Sequence, residues 1–175
     1  MAVGNLEFIH KETISASTSS VTIDNVFSAN YDVYKITIYG VTTVGTLQTT
    51  LAARFIDSGG SIISAAEYDY ASLRLESNAA FTEDRATATT SIEFLANLDQ
   101  SAESEGAVTY IYNPYDSSSY TFLLNQSSGH KSGNMRGSKT IGVHKSAETV
   151  RGINIIDQNA TRPLAEGYIV IYGVK

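Results

Sequence analysis

The 175-residue sequence has no cysteine, no tryptophan and only two methionines. The missing thiols exclude disulfide staples, thiolate metal centres and cysteine nucleophiles together. Basic residues are scarce as well. Twelve Lys and Arg against 18 Asp and Glu leave a formal net charge of -6, the wrong sign for a chain that tracks nucleic-acid phosphates. Nowhere do 18 apolar residues run together, and residues Met1 to Asn5 supply neither the basic nor the apolar region of a secretory leader. Neither membrane insertion nor signal-directed export is therefore expected. Charged residues make up only 17% of the chain, and Ser and Thr are abundant. That composition suits β-rich surfaces and is poor for long exposed helices.

What the sequence does contain is period-two patterning. Val33–Tyr39 alternates Tyr34, Ile36 and Ile38 against Lys35 and Thr37, the signature of a half-buried strand. Gly167–Gly173 is apolar on both parities, as a central or doubly covered strand requires. Further strands are expected at Leu6–Ile14, Ser20–Ile23, Leu47–Ile56, Gly106–Asn113, Tyr120–Asn125, Lys139–His144 and Val150–Ile156. Asp57-Ser-Gly-Gly60 suits a hairpin needing positive φ, and Pro114 ends a strand while biasing Asn113 to an extended form. Glu67–Ser77 fits neither period cleanly, with strand or irregular structure slightly favoured over a short helix, and Ala86–Ser91 reads as a loop or edge strand. Gln126–Ser138 is too rich in Gly and Ser to hold regular structure and is expected to be a long flexible loop. The expectation is one all-β domain over residues 1–175, with a short arm at 1–5. Its architecture would be an antiparallel β-sandwich, jelly-roll-like, of about 8–10 strands.

Motifs for chemistry are missing. His10, His130 and His144 stand at no metal-ligand spacing, so no metal site is expected. Carboxylates gather at Glu83-Asp84, Asp99–Glu105 and Asp116 without the spacing of a calcium loop, and read as solvated connections. There is no nucleophile elbow and no phosphate-cradling loop. Asn125-Gln-Ser127 and Asn159-Ala-Thr161 match the glycosylation triplet, as a Ser/Thr-rich chain does by chance. No catalytic residue and no cofactor is expected. The candidates for partner binding are His130, Lys131, Arg136 and Lys139, a local positive patch on an acidic chain, together with Tyr112 and Tyr115. Such charges set register and association rate, and tyrosines pack at interfaces with the hydroxyl wet or stack on sugars.

Certain phrases occur in a recognisable order: Leu6-Glu-Phe-Ile9, Val21-Thr-Ile-Asp-Asn-Val-Phe27, Ser28-Ala-Asn-Tyr-Asp-Val-Tyr-Lys-Ile36, and Leu51-Ala-Ala-Arg-Phe55 with the Asp57–Gly60 turn. Ile111-Tyr-Asn-Pro-Tyr115 and Gly167-Tyr-Ile-Val-Ile-Tyr-Gly173 follow. In this order the chain resembles small jelly-roll-like β-sandwich virion proteins of tailed bacteriophages, related to capsid decoration and tail-fibre tip modules. Phe-Ser-x-x-Tyr-Asp-x-Tyr, Phe27 to Tyr34, is the most telling phrase. The resemblance implies a non-enzymatic homo-oligomer, a trimer foremost, on the exterior of the particle. Its partner would be the major capsid protein or tail proteins, with a host surface glycan as the alternative. A glycan-degrading activity would need a convergent carboxylate pair. Because the strand signal begins by Leu6, with no room for a coiled-coil shaft before it, the sandwich itself is expected to dock.

Overall fold

A computed structural model describes residues 5–15, 17–44, 49–98, 105–131, 133–158 and 162–175. Most of the expected arm at 1–5, most of the Asp99–Glu105 acidic stretch and the Asn159 triplet lie outside the described residues, as do Leu47 and Gln48. Among the described residues there are twelve strands and no helix. They are β1 (Leu6–Ile14), β2 (Ser20–Ile23), β3 (Val33–Thr43), β4 (Thr49–Asp57), β5 (Tyr68–Glu76) and β6 (Thr82–Thr89). The second half holds β7 (Ile92–Leu98), β8 (Glu105–Tyr112), β9 (Thr121–Lys131), β10 (Asn134–His144), β11 (Val150–Asp157) and β12 (Leu164–Val174). Twelve exceeds the expected 8–10, because β6 and β7 carry little of the period-two signal and β5 carries it only partly.

Two antiparallel sheets pack as a sandwich. The larger has the order β1-β12-β3-β8-β9-β10-β5-β6 and the smaller β2-β11-β4-β7. Only β5 to β6 and β8 to β9 to β10 follow one another within a sheet; every other connection changes sheet, the winding of a jelly-roll-like fold. Tyr34, Ile36 and Ile38 of β3 face the core as their alternation requires, and belong to the same buried cluster as Phe27, Phe55, Leu51 and Ile153. In β12, Ile169 and Ile171 are buried on the core face and Val170 on the other, consistent with a strand held between β1 and β3.

The Phe27–Tyr34 phrase is a clasp. Tyr34 accepts a hydrogen bond from Ser28 N (2.7 Å) and donates to Ser28 O (3.0 Å), and its ring lies 4.6 Å from that of Phe27. A buried phenol thus finds both partners within six residues, which fixes the crossover from β2 to β3. Gly60 adopts φ 88°, the left-handed conformation expected of its turn, and donates to Asp57 O at 3.0 Å. Asn113 departs from expectation: its φ is 54°, left-handed rather than extended, and its N–H donates to Asp32 O at 2.8 Å. Asn tolerates that conformation better than most residues, and the bond outweighs the bias from Pro114.

The largest correction concerns Gln126–Ser138. In place of a long loop, its described residues form the end of β9 and the start of β10, paired in continuous register from Asn134↔Lys131 to His144↔Thr121; Ser132 lies outside the described residues. Gly and Ser there serve close strand approach. A Cβ on Gly137 would stand 2.4 Å from Ser127 O, and Ser127 and Ser138 bond each other at 2.8 Å while buried. The small residues are a packing requirement, which composition alone reads as loop.

The reason lies in β7. Between Ile92 and Ala96 its pairing with β4 slips, and Phe94 takes φ 62°, so backbone polar groups turn toward the large sheet. Phe94 O accepts from Ser138 Oγ and Thr140 Oγ1, both at 2.9 Å, and from Asn125 Nδ2 at 3.4 Å; Leu95 O accepts from Asn125 Nδ2 at 2.9 Å. Thr109 Oγ1 donates to Asn125 Oδ1 at 2.8 Å, and Thr140 Oγ1 meets Ser72 Oγ at 2.9 Å. A polar row, Thr109-Asn125-Thr140-Ser72, therefore runs across four adjacent strands in the core, in direct register. The inner face of β10 is polar or small, and Gly142 leaves room for Ile92, whose Cγ2 would lie 2.6 Å from an added Cβ.

Candidate functional site

Because β10 commits Ser138, Thr140, Gly142 and His144 to the core, its apolar residues Ile141 and Val143 fall on the outer face. Direct cross-strand partners extend that surface. Ile141 stands beside Leu124 of β9 and Ala71 of β5, Leu124 beside Tyr110 of β8, Val143 beside Phe122, and Phe122 beside Tyr112. Ile141 is 57% exposed and Phe122 45%. The edge strand β6 borders this face. A register shift between Tyr68 and Tyr70, with Ala88 at φ 54°, bends it, and Arg85, Ala86 and Thr87 form one wall. The result is an open, mostly apolar groove of about 830 Å³. At its rim Asp69 receives Lys145 Nζ and Ala88 N, both at 2.8 Å; these bonds, with Lys145 the larger influence, hold its carboxyl below the usual range.

The structure brings only part of the expected patch to this surface. Tyr112 lines the groove, its ring 6.5 Å from and stacked with that of Tyr110. Lys139 is exposed on the same face, one outward position along β10 from Ile141. His130 stands opposite exposed Met135, near the far end of the β9–β10 hairpin. Arg136 has the other parity and is spent on an ion pair with Glu76, its neighbour in β5, so it does not join a common positive surface. Lys131 ends β9. Tyr115 is 41% exposed on the connection after β8, outside the groove lining. Phe122, Leu124, Ile141 and Val143 were not singled out from sequence. Their signal is apolar character on strands whose other parity is largely Thr, Asn, Ser or Gly, with Leu123 and His144 as buried exceptions.

A second constellation corrects the reading of the histidines. His144 is fully buried at the end of β10, its ring 5.0 Å from Tyr68 and 6.1 Å from Phe55. Its Nε2 lies 3.2 Å from Glu67 Oε2 and 3.6 Å from Glu148 Oε1. The acidic partner that spacing did not reveal is 77 residues away in the chain.

No protein-family model and no curated protein matches the chain. Among solved structures, the CBM2 module of Lactobacillus casei BL23 phage J-1 evolved Dit aligns over 89% of this chain and 69% of its own, at 12% identity and a TM-score of 0.24. A family 7 alginate lyase, A1-II′, aligns over 83% of this chain and 62% of its own, at 8% identity and a TM-score of 0.25. The infectious bursal disease virus Gx strain aligns over 97% of this chain and 38% of its own, at 12% identity and a TM-score of 0.16. Similarity at this level carries no functional assignment.

Proposed function

We propose that the chain is a structural protein of a tailed-phage particle, a capsid decoration or cement protein that docks on the outside of the shell through the outer face of its eight-stranded sheet. The ordered phrases of the sequence support the phage setting. The single observation that supports docking is the apolar groove, which exposes Phe122 and Ile141 where an isolated sandwich would place polar residues. Its lining sits on paired strands, so little ordering entropy is lost when a partner covers it. Bound copies stabilise the assembled shell by mass action.

The test is binding of purified protein to shells that lack it, with copy number per particle as the readout. Hundreds of copies, and genome release at lower temperature when the protein is omitted, support cementing. A handful of copies confined to the tail, or specific capture on a glycan array, would move the assignment to receptor recognition. Ile141→Asp should weaken shell binding about ten- to hundredfold, the effect of losing one buried aliphatic contact of about 1.5–3 kcal/mol. Light scattering tests the trimer: a trimer whose assembly Ile141→Asp abolishes, with no shell binding, would assign the groove to self-association instead.

A further inference from the structure

We propose that Glu67, His144 and Glu148 form a binding site for a divalent transition-metal ion of the zinc class. The three residues each offer one ligand atom, and these atoms lie within 4.8 Å of one another. Zinc bonds of about 2.0–2.1 Å in a tetrahedron place neighbouring ligand atoms about 3.3–3.4 Å apart. The distances from His144 Nε2, 3.2 Å to Glu67 and 3.6 Å to Glu148, bracket that edge. One imidazole nitrogen and two carboxylate oxygens suit zinc or cobalt, whereas magnesium demands an octahedral oxygen shell.

Two further observations point the same way. First, the two carboxylates face the His144 ring and no fixed cation among the described residues. Neither Glu67 nor Glu148 pairs with a lysine or arginine among the described residues. The nearby basic groups are engaged elsewhere, Lys145 Nζ on Asp69 at 2.8 Å and Arg54 Nε on Thr90 O at 3.0 Å. Two like charges held against one buried ring are stabilised by a divalent ion between them. Second, His144 is a preset ligand. It is fully buried beside the rings of Tyr68 and Phe55, and its Nε2 is the ring atom that faces both carboxylates. A carboxylate only accepts, so the bond to Glu67 uses a proton on Nε2, and a metal ion takes the place of that proton between the ring and the two carboxylates. The backbone supports the arrangement, because Lys145 N donates to Glu67 O at 2.8 Å and holds the start of β5 beside the end of β10. An ion here would tie the segment before β5 and the turn before β11 to the large sheet. Glu67 and Glu148 are each only partly buried, so a fourth position faces solvent and is open to water or to a side chain of a neighbouring subunit.

The experiment uses the full chain after chelator treatment, titrated with zinc by calorimetry and with cobalt by visible absorption. One equivalent should bind, with the bands of tetrahedral cobalt. A hundredfold excess of zinc over its dissociation constant should raise the melting temperature by about 5–10 °C, and equal magnesium should not. Glu67→Gln and Glu148→Gln should each weaken zinc binding at least tenfold while melting, metal-free, within about 3 °C of wild type, since glutamine keeps an acceptor for His144 Nε2 and removes like-charge repulsion. The exposed pair His10 and Glu12, 3.1 Å apart, is the competing site. His10→Asn should leave the affinity unchanged. Absence of saturable binding at one equivalent would overturn the proposal. So would wild-type affinity in both glutamine variants, or loss of binding in His10→Asn.

Discussion

Replacing Asn125 by Leu tests whether the buried polar row holds the two sheets together. The amide donates to Leu95 O at 2.9 Å and accepts from Thr109 Oγ1 at 2.8 Å; its longer bond, to Phe94 O, is duplicated by Ser138 and Thr140. The substitution thus strips two groups of this partner inside the core. An orphaned buried polar group costs about 1–3 kcal/mol, so the two together cost about 4 kcal/mol. The leucine, of similar size and fully buried, offsets about 1–2 kcal/mol. The net loss should be about 2–3 kcal/mol, or about 4–12 °C in melting temperature for a chain of this length. Urea unfolding of wild type, Asn125→Leu, Thr109→Val and the double variant measures it. In the double variant the Thr109 hydroxyl is no longer stranded, so the combined loss should fall short of the sum by about 1 kcal/mol or more. A single variant within about 0.5 kcal/mol of wild type, or strict additivity in the cycle, would refute the role given to the row.

Gly137→Ala separates strand from loop by the sign of its effect. Against Ser127 O at 2.4 Å the added carbon should cost about 1–3 kcal/mol, whereas in a mobile loop the same change would stabilise by about 0.4–1 kcal/mol. Ile141→Asp should lower the unfolding free energy in urea by no more than about 1 kcal/mol, the span of strand propensity, since the side chain is outward, while weakening shell binding about ten- to hundredfold. Asp24 receives Arg151 Nε at 2.7 Å and Nη2 at 2.6 Å, and this pairing holds its carboxyl below the usual range. A depressed native pKa contributes stability above the unfolded value of about 3.9 that is lost as pH falls through the native one. Asp24→Asn should therefore flatten the decline in stability below about pH 4, and an unchanged slope in acid unfolding would count against the pairing.

Strands whose buried face is apolar were legible because alternation and burial agree: β2 has the expected bounds, and β3, β11 and β12 extend the expected segments by one to four residues, while β1 has the expected bounds with only Ile14 buried. The β5 stretch was half legible, since Tyr68 and Tyr70 face the core but the next inward residue is Ser72. β7 was not foreseen, because its bulge at Phe94 breaks the period and buries both parities. β6 follows from pairing with β5 rather than from any apolar face of its own.

The candidate surfaces were less legible for the same physical reason. Hydrophobic alternation applied to β10 assigns Ile141 and Val143 to the core. The demand of the Phe94 carbonyl for donors, and the room Ile92 requires at Gly142, reverse the faces. Tyr112 was within reach of sequence reasoning as an aromatic on a strand, but the groove it lines is made by β5, β6, β9 and β10. The grouping of His144 with Glu67 and Glu148 depends on which strand ends the sandwich places together, and no local spacing encodes it.

By itself, then, the sequence determined the all-β class, the turn at Gly60, the inward set of β3 and the central placement of β12, because local sterics and solvent transfer act residue by residue. Tertiary structure alone decided which face of β9 and β10 is buried and which of the polar residues meet. A hydrogen-bond donor is assigned inward or outward by the acceptor opposite it, and that acceptor belongs to a strand elsewhere in the chain.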